Sequence, residues 1–408
     1  MKRLLLLLFV LLLAFSWCPE ARALRLEISG AELIKIPVAV PDFEGPQPLA
    51  RKLSEVARQD LEWHLVFNVL GQGLPAAETK IFTSLGVDWL LYGKVSLSGP
   101  RLTTAFYLRD MVKDKVVLSR GYRGPKDSAR YMVHRFVDLA VEEILGVPGV
   151  AMSRVAFVER RGWHDTLFVQ DFDGARKVAV AEGDLILGPR LSPDAQKIAF
   201  VYYVQRRPQV HVIDLRSGNR WVVSRFPGLN ASPVWHPDGD KLVVTLSKDG
   251  NPDLYLLDLS GHILKRLTFG EGVNTGGSFS PDGKELAFVS DRSGSPQIYI
   301  LNLRTRGVRR LTFRGRYNVS PSWSPTGDRI VYASQEGGRF VLYTIDPRGG
   351  EPVRVTERGS YEAPFFSPNG RLILAQGRDG LWLFLANGAS GRRYLAGKSL
   401  FPSWRRLP

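Results

Sequence analysis

The sequence predicts an α/β N-terminal domain followed by an all-β six-bladed β-propeller. Three observations carry that expectation: a Ser-Pro-Asp-Gly stretch that recurs at an almost constant interval, complementary strand fragments at the two ends of the repeat region, and a helix-bearing segment ahead of it. The recurring stretch appears as R-L-S-P-D-A-Q-K-I-A-F (from Arg190), V-W-H-P-D-G-D-K-L-V-V (from Val234), G-S-F-S-P-D-G-K-E-L-A-F (from Gly277), S-W-S-P-T-G-D-R-I-V-Y (from Ser322) and F-F-S-P-N-G-R-L-I-L-A (from Phe365). Its prolines, Pro193, Pro237, Pro281, Pro325 and Pro368, are spaced 44, 44, 44 and 43 residues apart. Regularity of that kind is the signature of a repeat architecture, so it outranks any single motif inside it.

Each copy follows one physical plan. The proline fixes φ for a tight turn, an Asp, Asn or Thr follows, and a glycine supplies the left-handed residue that lets a hairpin continue. One copy has Ala195 where the others have glycine, which predicts a strained turn there. Two residues before the proline stand Leu191, Trp235, Phe279, Trp323 and Phe366; five after it stand Ile198, Leu242, Leu286, Ile330 and Ile373. Later runs such as D-L-Y-L-L-D-L (from Asp253) and K-R-L-T-F (from Lys265) bring each copy to four short strands, the size of one propeller blade. Asp282, in the best formed copy, is then a turn residue and not a catalytic carboxylate.

The ends of the region explain how the ring closes. Arg154-Val155-Ala156-Phe157-Val158 reads as a second strand with no first strand before it, and Phe401-Pro402-Ser403-Trp404 as a first strand with nothing after it. Each lacks what the other has, so joining them completes a sixth blade and removes two open sheet edges.

Ahead of the repeats the texture changes. Lys35-Ile36-Pro37-Val38-Ala39-Val40 reads as a buried strand, and Leu49, Leu53, Val56, Ala57 and Leu61 recur at helical spacing. Strand-like runs follow at 89–97, 102–108 and 116–122. Met132, Val133, Phe136, Val137, Ala140, Ile144 and Leu145 then mark one face of a helix that Gly146 should cap.

The chain opens with Lys2 and Arg3, an apolar run over 4–15, and Ala21-Arg22-Ala23, the pattern of a secretory signal with its cleavage site. The run is shorter than the roughly 20 residues that span a bilayer. The expected organisation is a signal peptide over 1–23, an α/β domain over 24–148 and the propeller over 149–408, exported and not an integral membrane protein. The single cysteine, Cys18, falls inside the signal, and the bulky Trp17 before it argues against a lipid anchor. Of 408 residues, 44% are apolar and 23% charged, a globular composition. The formal charge of +15 attracts anionic partners, but lysine and arginine are dispersed along the chain and export argues against nucleic acid.

Catalytic signatures are missing from the sequence. His64, His134, His164, His211, His236 and His262 are scattered without metal-ligand spacing; there is neither a G-x-S-x-G elbow nor a glycine-rich phosphate loop between a strand and a helix. No metal and no cofactor is expected.

A small α/β domain followed by six such blades resembles the TolB family, the periplasmic propellers of the Tol-Pal envelope system. The domain order, the F-P-S-W ending and G-V-D-W-L-L-Y-G-K-V (from Gly86) carry the resemblance, and L-R-L-E-I-S-G (from Leu24) resembles the tail that begins the mature chain in that family. It implies a non-enzymatic monomeric scaffold without cofactors. Such a scaffold binds the peptidoglycan-associated lipoprotein Pal at one mouth of the propeller, and a TolA-like inner-membrane protein through the tail residues Leu24, Arg25, Leu26, Glu27 and Ile28. The mouth would be built from the loops entering each blade, naming Leu229, Asn230, Asn274, Thr275, Asn318, Tyr361 and Glu362, with the three asparagines either as a polar arc around the channel or hydrogen-bonded within their own turns. Some family members have a His and a Glu where this chain aligns Leu229 and Gly276. The competing readings are a propeller enzyme of lactonase or lyase type, with acids or histidines at the channel, and a periplasmic ligand sensor floored by Tyr361.

Overall fold

The computed structural model describes residues 33–75, 79–270 and 272–408. The signal segment, Cys18 and the tail residues Leu24 to Ile28 lie outside them.

The first region holds β1 (Ile36–Ala39), α1 (Leu49–Glu62), β2 (Phe67–Leu70), α2 (Thr79–Ser84), β3 (Trp89–Ser98), β4 (Arg101–Asp110), β5 (Lys115–Pro125) and α3 (Ala129–Leu145). Its sheet runs β2-β1-β3-β4-β5, with β1 parallel to both neighbours and the rest antiparallel. Strand alternation sends Val38 to one face and Ala39 to the other. Val38 joins the core made by Leu53, Ala57 and Leu61 of α1 with Phe136, Val137 and Ala140 of α3, while Ala39 packs with Phe82 of α2 and Leu90 on the opposite face. Helix α3 ends as its sequence implies, with Gly146 left-handed at φ 71° and its N–H donating to the Glu142 carbonyl at 2.8 Å. The sequence reading missed β2 and α2, because four and six residues are too few to display a period.

Strands β6 to β29 form six four-stranded antiparallel sheets arranged as blades. The innermost strands are β9 (Ile186–Leu191), β13 (Asn230–Trp235), β17 (Asn274–Phe279), β21 (Asn318–Trp323), β25 (Glu362–Phe366) and β29 (Ser399–Arg406), each touching its two neighbours around the ring. Blades pack face to face through alternate residues. Leu242 and Val244 pack with Val201, Val212 and Trp235, while Val243, between them, packs against Phe279 and Phe288 of the next blade. Asp282 is a turn residue: it accepts from the Ser280 hydroxyl at 2.7 Å and the Lys284 N–H at 3.1 Å, and those bonds hold its carboxyl down to about 2. Ala195 takes φ +54°, a left-handed conformation that costs an alanine about 1 kcal/mol.

The ring closes between the chain's two ends. β29 pairs antiparallel with β6 (Ser153–Arg161), placing Trp404 opposite Val155 and Leu400 opposite Val158. Trp404 is fully buried, stacks on Phe172 with ring centres 4.5 Å apart, and donates its indole N–H to Ser153 Oγ at 2.7 Å. Phe172 in turn stacks on Tyr394, and Trp63, just past α1, meets both rings edge-on. One aromatic cluster therefore joins the closing strand, the last blade and the N-terminal region.

An ionic cluster reinforces that junction. His134 of α3 contacts Asp60 of α1 at 2.6 Å and Asp173 of the propeller at 3.4 Å, and Arg130 also pairs with Asp173. Burial alone would lower the imidazole, but the two carboxylates win and raise it to about 10. Burial opposes ionisation of Asp173 too, yet His134 and Arg130 hold it at about 2. The connector is fixed nearby: the Asp138 carboxylate accepts from the Ala151 and Met152 N–H groups, and a side chain at Gly149 would meet Asp138 Oδ1 at 2.3 Å. Among the described residues no helix is long and apolar enough to cross a membrane.

Deleting 399–408 should remove the closing strand and lower the melting temperature sharply; an unchanged melt would refute this mode of closure. Asp173→Asn leaves Arg130 and His134 short of a counter-charge and should cost about 3–5 kcal/mol in denaturant unfolding. Because its folded value is raised, the contribution of His134 is complete below its ordinary value of 6.5 and is lost as pH climbs through about 10. Because its folded value is depressed, that of Asp173 is complete above 3.8 and is lost as pH falls through about 2. Unfolding free energies measured from pH 6.5 upward should fall less steeply in the Asn variant.

Candidate functional site

Each innermost strand is the edge of its sheet toward the channel, and all six are interrupted in the same way. Two residues of the inner strand face one residue of the next strand, a β-bulge, and the first of the two is left-handed. The bulge residues are Gly188, Ser232, Gly276, Ser320, Ala363 and Phe401, with φ between +47° and +62°. Only two are glycines, so four blades hold an L-residue in a conformation that costs about 1 kcal/mol each. A proline follows in five of the six, Pro189, Pro233, Pro321, Pro364 and Pro402, with Gly277 in the sixth. Proline lacks a ladder donor and is tolerated where a strand has an unpaired side, which is the channel side here.

These six residues line one mouth of the channel, a cavity of about 560 Å³. Thr275, Glu362 and Asp291 add polar groups to its wall, and Val273, Val319 and Tyr317 add apolar ones. Glu362 is exposed, and partial desolvation by the walls shifts its carboxyl upward. Asp291 Oδ1 accepts from the Val273 N–H at 2.7 Å, so Asp291 braces the loop that enters β17 of its own blade. The loops running from the outer strand of one blade to the inner strand of the next carry Phe269, Val273, Phe313 and Tyr317 with 57%, 39%, 74% and 39% of their surface exposed.

Of the residues expected at the mouth, Thr275 and Glu362 line the cavity. The asparagine arc is corrected: Asn230, Asn274 and Asn318 are all fully buried and hydrogen-bond inside the blades. Asn230 donates to the Phe226 carbonyl at 2.7 Å and accepts from its N–H at 2.9 Å. Asn274 donates to Asp253 at 2.9 Å and accepts from Arg292 at 2.7 Å, while Asn318 donates to Gln297 at 2.7 Å and to the Arg314 carbonyl at 2.8 Å. An amide with two donors and an acceptor suits a loop that must satisfy several backbone groups at the start of a strand. Tyr361 is also corrected: it is 8% exposed and packs edge-on against Trp382 and Phe384 in the core, so it cannot floor a ligand site. Leu229 is half-buried, its backbone paired with Ser247.

The bulge ring escaped the sequence reading, although a signal was present. Gly188 and Gly276 sit two residues into their strands, immediately before the residue that is proline in five blades. Among the described residues no group of three or more His, Cys, Asp or Glu side chains is arranged to hold a metal.

A six-bladed propeller closed by its own C-terminal strand, with an α/β domain docked at the closure, is the class of protein that this arrangement defines. Residues 141–407 match the TolB beta propeller domain and residues 24–117 the TolB amino-terminal domain. The crystal structure of TolB from Acinetobacter baumannii is similar with a TM-score of 0.83 at 29% identity, covering 92% of this chain and 97% of that one. The Tol-Pal system protein TolB of Aromatoleum aromaticum is 35% identical over 240 residues, 57% of this chain and 56% of that relative. That of Nitrosomonas europaea is 35% identical over 233 residues, 55% and 54% of the two chains. These alignments span about half the length of the curated relatives. The chain belongs to the TolB family.

Asn274→Ala removes contacts to both Asp253 and Arg292 and should cost about 1–3 kcal/mol in unfolding experiments. Asn318→Ala should cost less, because Asn318 Oδ1 is buried without a partner already. A fully stable Asn274→Ala protein would show that the contacts to Asp253 and Arg292 do not hold the start of this strand.

Proposed function

We propose that the chain is a non-enzymatic periplasmic component of the Tol-Pal system. Its propeller mouth binds the peptidoglycan-associated lipoprotein, and its N-terminal tail engages a TolA-like inner-membrane protein. That scaffold maintains outer-membrane integrity and supports constriction at division. Relatives named Tol-Pal system protein TolB support the system and the compartment. The observation that carries the binding surface is the mouth itself. Two adjacent entry loops put Val273 and Tyr317 on the wall of a cavity that also carries Glu362, and expose Phe269 and Phe313 along the same loops. Aromatic and aliphatic groups clustered at a polar-rimmed concavity are what protein interfaces use as anchors, and isolated exposed residues would not form such a sector.

Calorimetric titration with a purified peptidoglycan-associated lipoprotein tests this reading. Binding should be measurable for the wild-type chain and at least about tenfold weaker for Tyr317→Ala or Val273→Asp, the loss of about 1.4 kcal/mol expected for an interface anchor. A wild-type titration without heat, or full affinity in both variants, would remove the mouth as the docking surface.

A further inference from the structure

Beyond the mouth the channel continues into a second cavity of about 290 Å³, walled by the inner strands and the Ser-Pro turns. Two arginines line it, Arg190 from β9 and Arg405 from β29. Their guanidinium carbons stand 5.6 and 5.3 Å from the centre of the same ring, that of Phe365. Two cations share one aromatic face group, and an aromatic quadrupole attracts a cation without neutralising it.

Neither has a counter-charge among the described residues. Arg190 donates to the carbonyl of Pro189, its own neighbour, at 3.3 Å, and Arg405 Nε is buried with no acceptor. Elsewhere in the chain the fold supplies carboxylates to partly buried arginines, as Asp42 for Arg58 and Asp165 for Arg160. The lining of this cavity contains no Asp or Glu. Burial, with repulsion from Arg405, lowers Arg190 to about 10, and burial lowers Arg405 to about 10, so both stay charged at neutral pH.

The repeat itself shows that the scaffold does not require these charges. At the position of Arg190 the other blades have Val234, Ser278, Ser322, Phe365 and Ser403; at that of Arg405 they have Ser192, His236, Ser280, Ser324 and Ser367. A hydroxyl is also available, since Ser278 Oγ accepts from the Trp323 N–H at 2.9 Å and keeps its own proton to donate. Both arginines are half-buried, and a partly desolvated cation without a counter-charge is unfavourable unless a ligand completes it.

We propose that this cavity is an anion site in which Arg190 and Arg405 together hold one small oxyanion, the phosphate or carboxylate group of a free ligand. The site adjoins the mouth, since Arg190 also lines that cavity, but it does not rest on the partner reading above. Its ligand is small because the cavity admits a group and not a folded segment.

Calorimetry and thermal melts on the chain isolated from cells and dialysed into low-chloride buffer test it, with inorganic phosphate and succinate as probes and sodium chloride at matched ionic strength as the reference. Phosphate, succinate or both should bind and raise the melting temperature with concentration beyond the chloride reference. A response to phosphate alone assigns a tetrahedral oxyanion, and one to succinate alone a carboxylate. Arg405→Met and Arg190→Met should each weaken binding at least tenfold. In the absence of anion both should melt no lower than wild type, since each removes a repelling charge; a purely structural arginine would lower it. Wild-type protein that responds to neither probe beyond chloride, or variants that bind as tightly as wild type, would overturn the proposal. Should one variant fail to fold, the wild-type titration and the other variant decide.

Discussion

The burial of Trp404 is the contact on which the rest of the molecule depends. A six-bladed ring has no partner for its first and last sheets unless the chain's own end supplies a strand, and an unclosed ring would present two open edges. Here the indole stacks on Phe172, bonds to Ser153 and completes the blade that begins at β6. The same cluster includes Trp63 and Tyr394, so closing the propeller and docking the N-terminal region share one set of aromatic contacts. The ion cluster of Asp60, His134, Arg130 and Asp173 lies across the same junction and adds direction to a contact that apolar stacking alone would leave less specific.

Closure also dictates the character of the channel. Once the sheets are arranged radially, their inner edges have unpaired backbone on one side, and each is interrupted by a left-handed residue, followed by a proline in five blades. A bulge bends the strand and increases its twist, which turns the strand entrance outward and opens a mouth. The residues at the strand starts are then drawn under the rim, which is why Asn230, Asn274 and Asn318 are buried while the bulge residues after them face the cavity.

Much of the fold was legible because repetition averages out local ambiguity. One Ser-Pro-Asp-Gly copy is a weak turn signal, but five related copies at near-constant spacing locate five blades, and the fragments at Arg154 and Phe401 reveal the closing sixth. The candidate site was legible only in part. Thr275 and Glu362 reach the mouth, but Tyr361 is buried by packing on Trp382 and Phe384 of its own blade, and the asparagines start strands whose two-against-one pairing alternation along a single strand cannot reveal. A β-strand changes face with each residue, so one inserted residue reverses every inference about which side chain faces the channel.

By itself the sequence determined the blade count, the strand plan, the way the ring closes and the helix-bearing domain ahead of it, because those follow from spacing and periodicity along the chain. Only the tertiary structure decided which side chains meet around the channel. Arg190 and Arg405 lie more than two hundred residues apart, in strands that become neighbours when the ring closes. Their convergence on Phe365 is a consequence of that closure, and no local pattern encodes it.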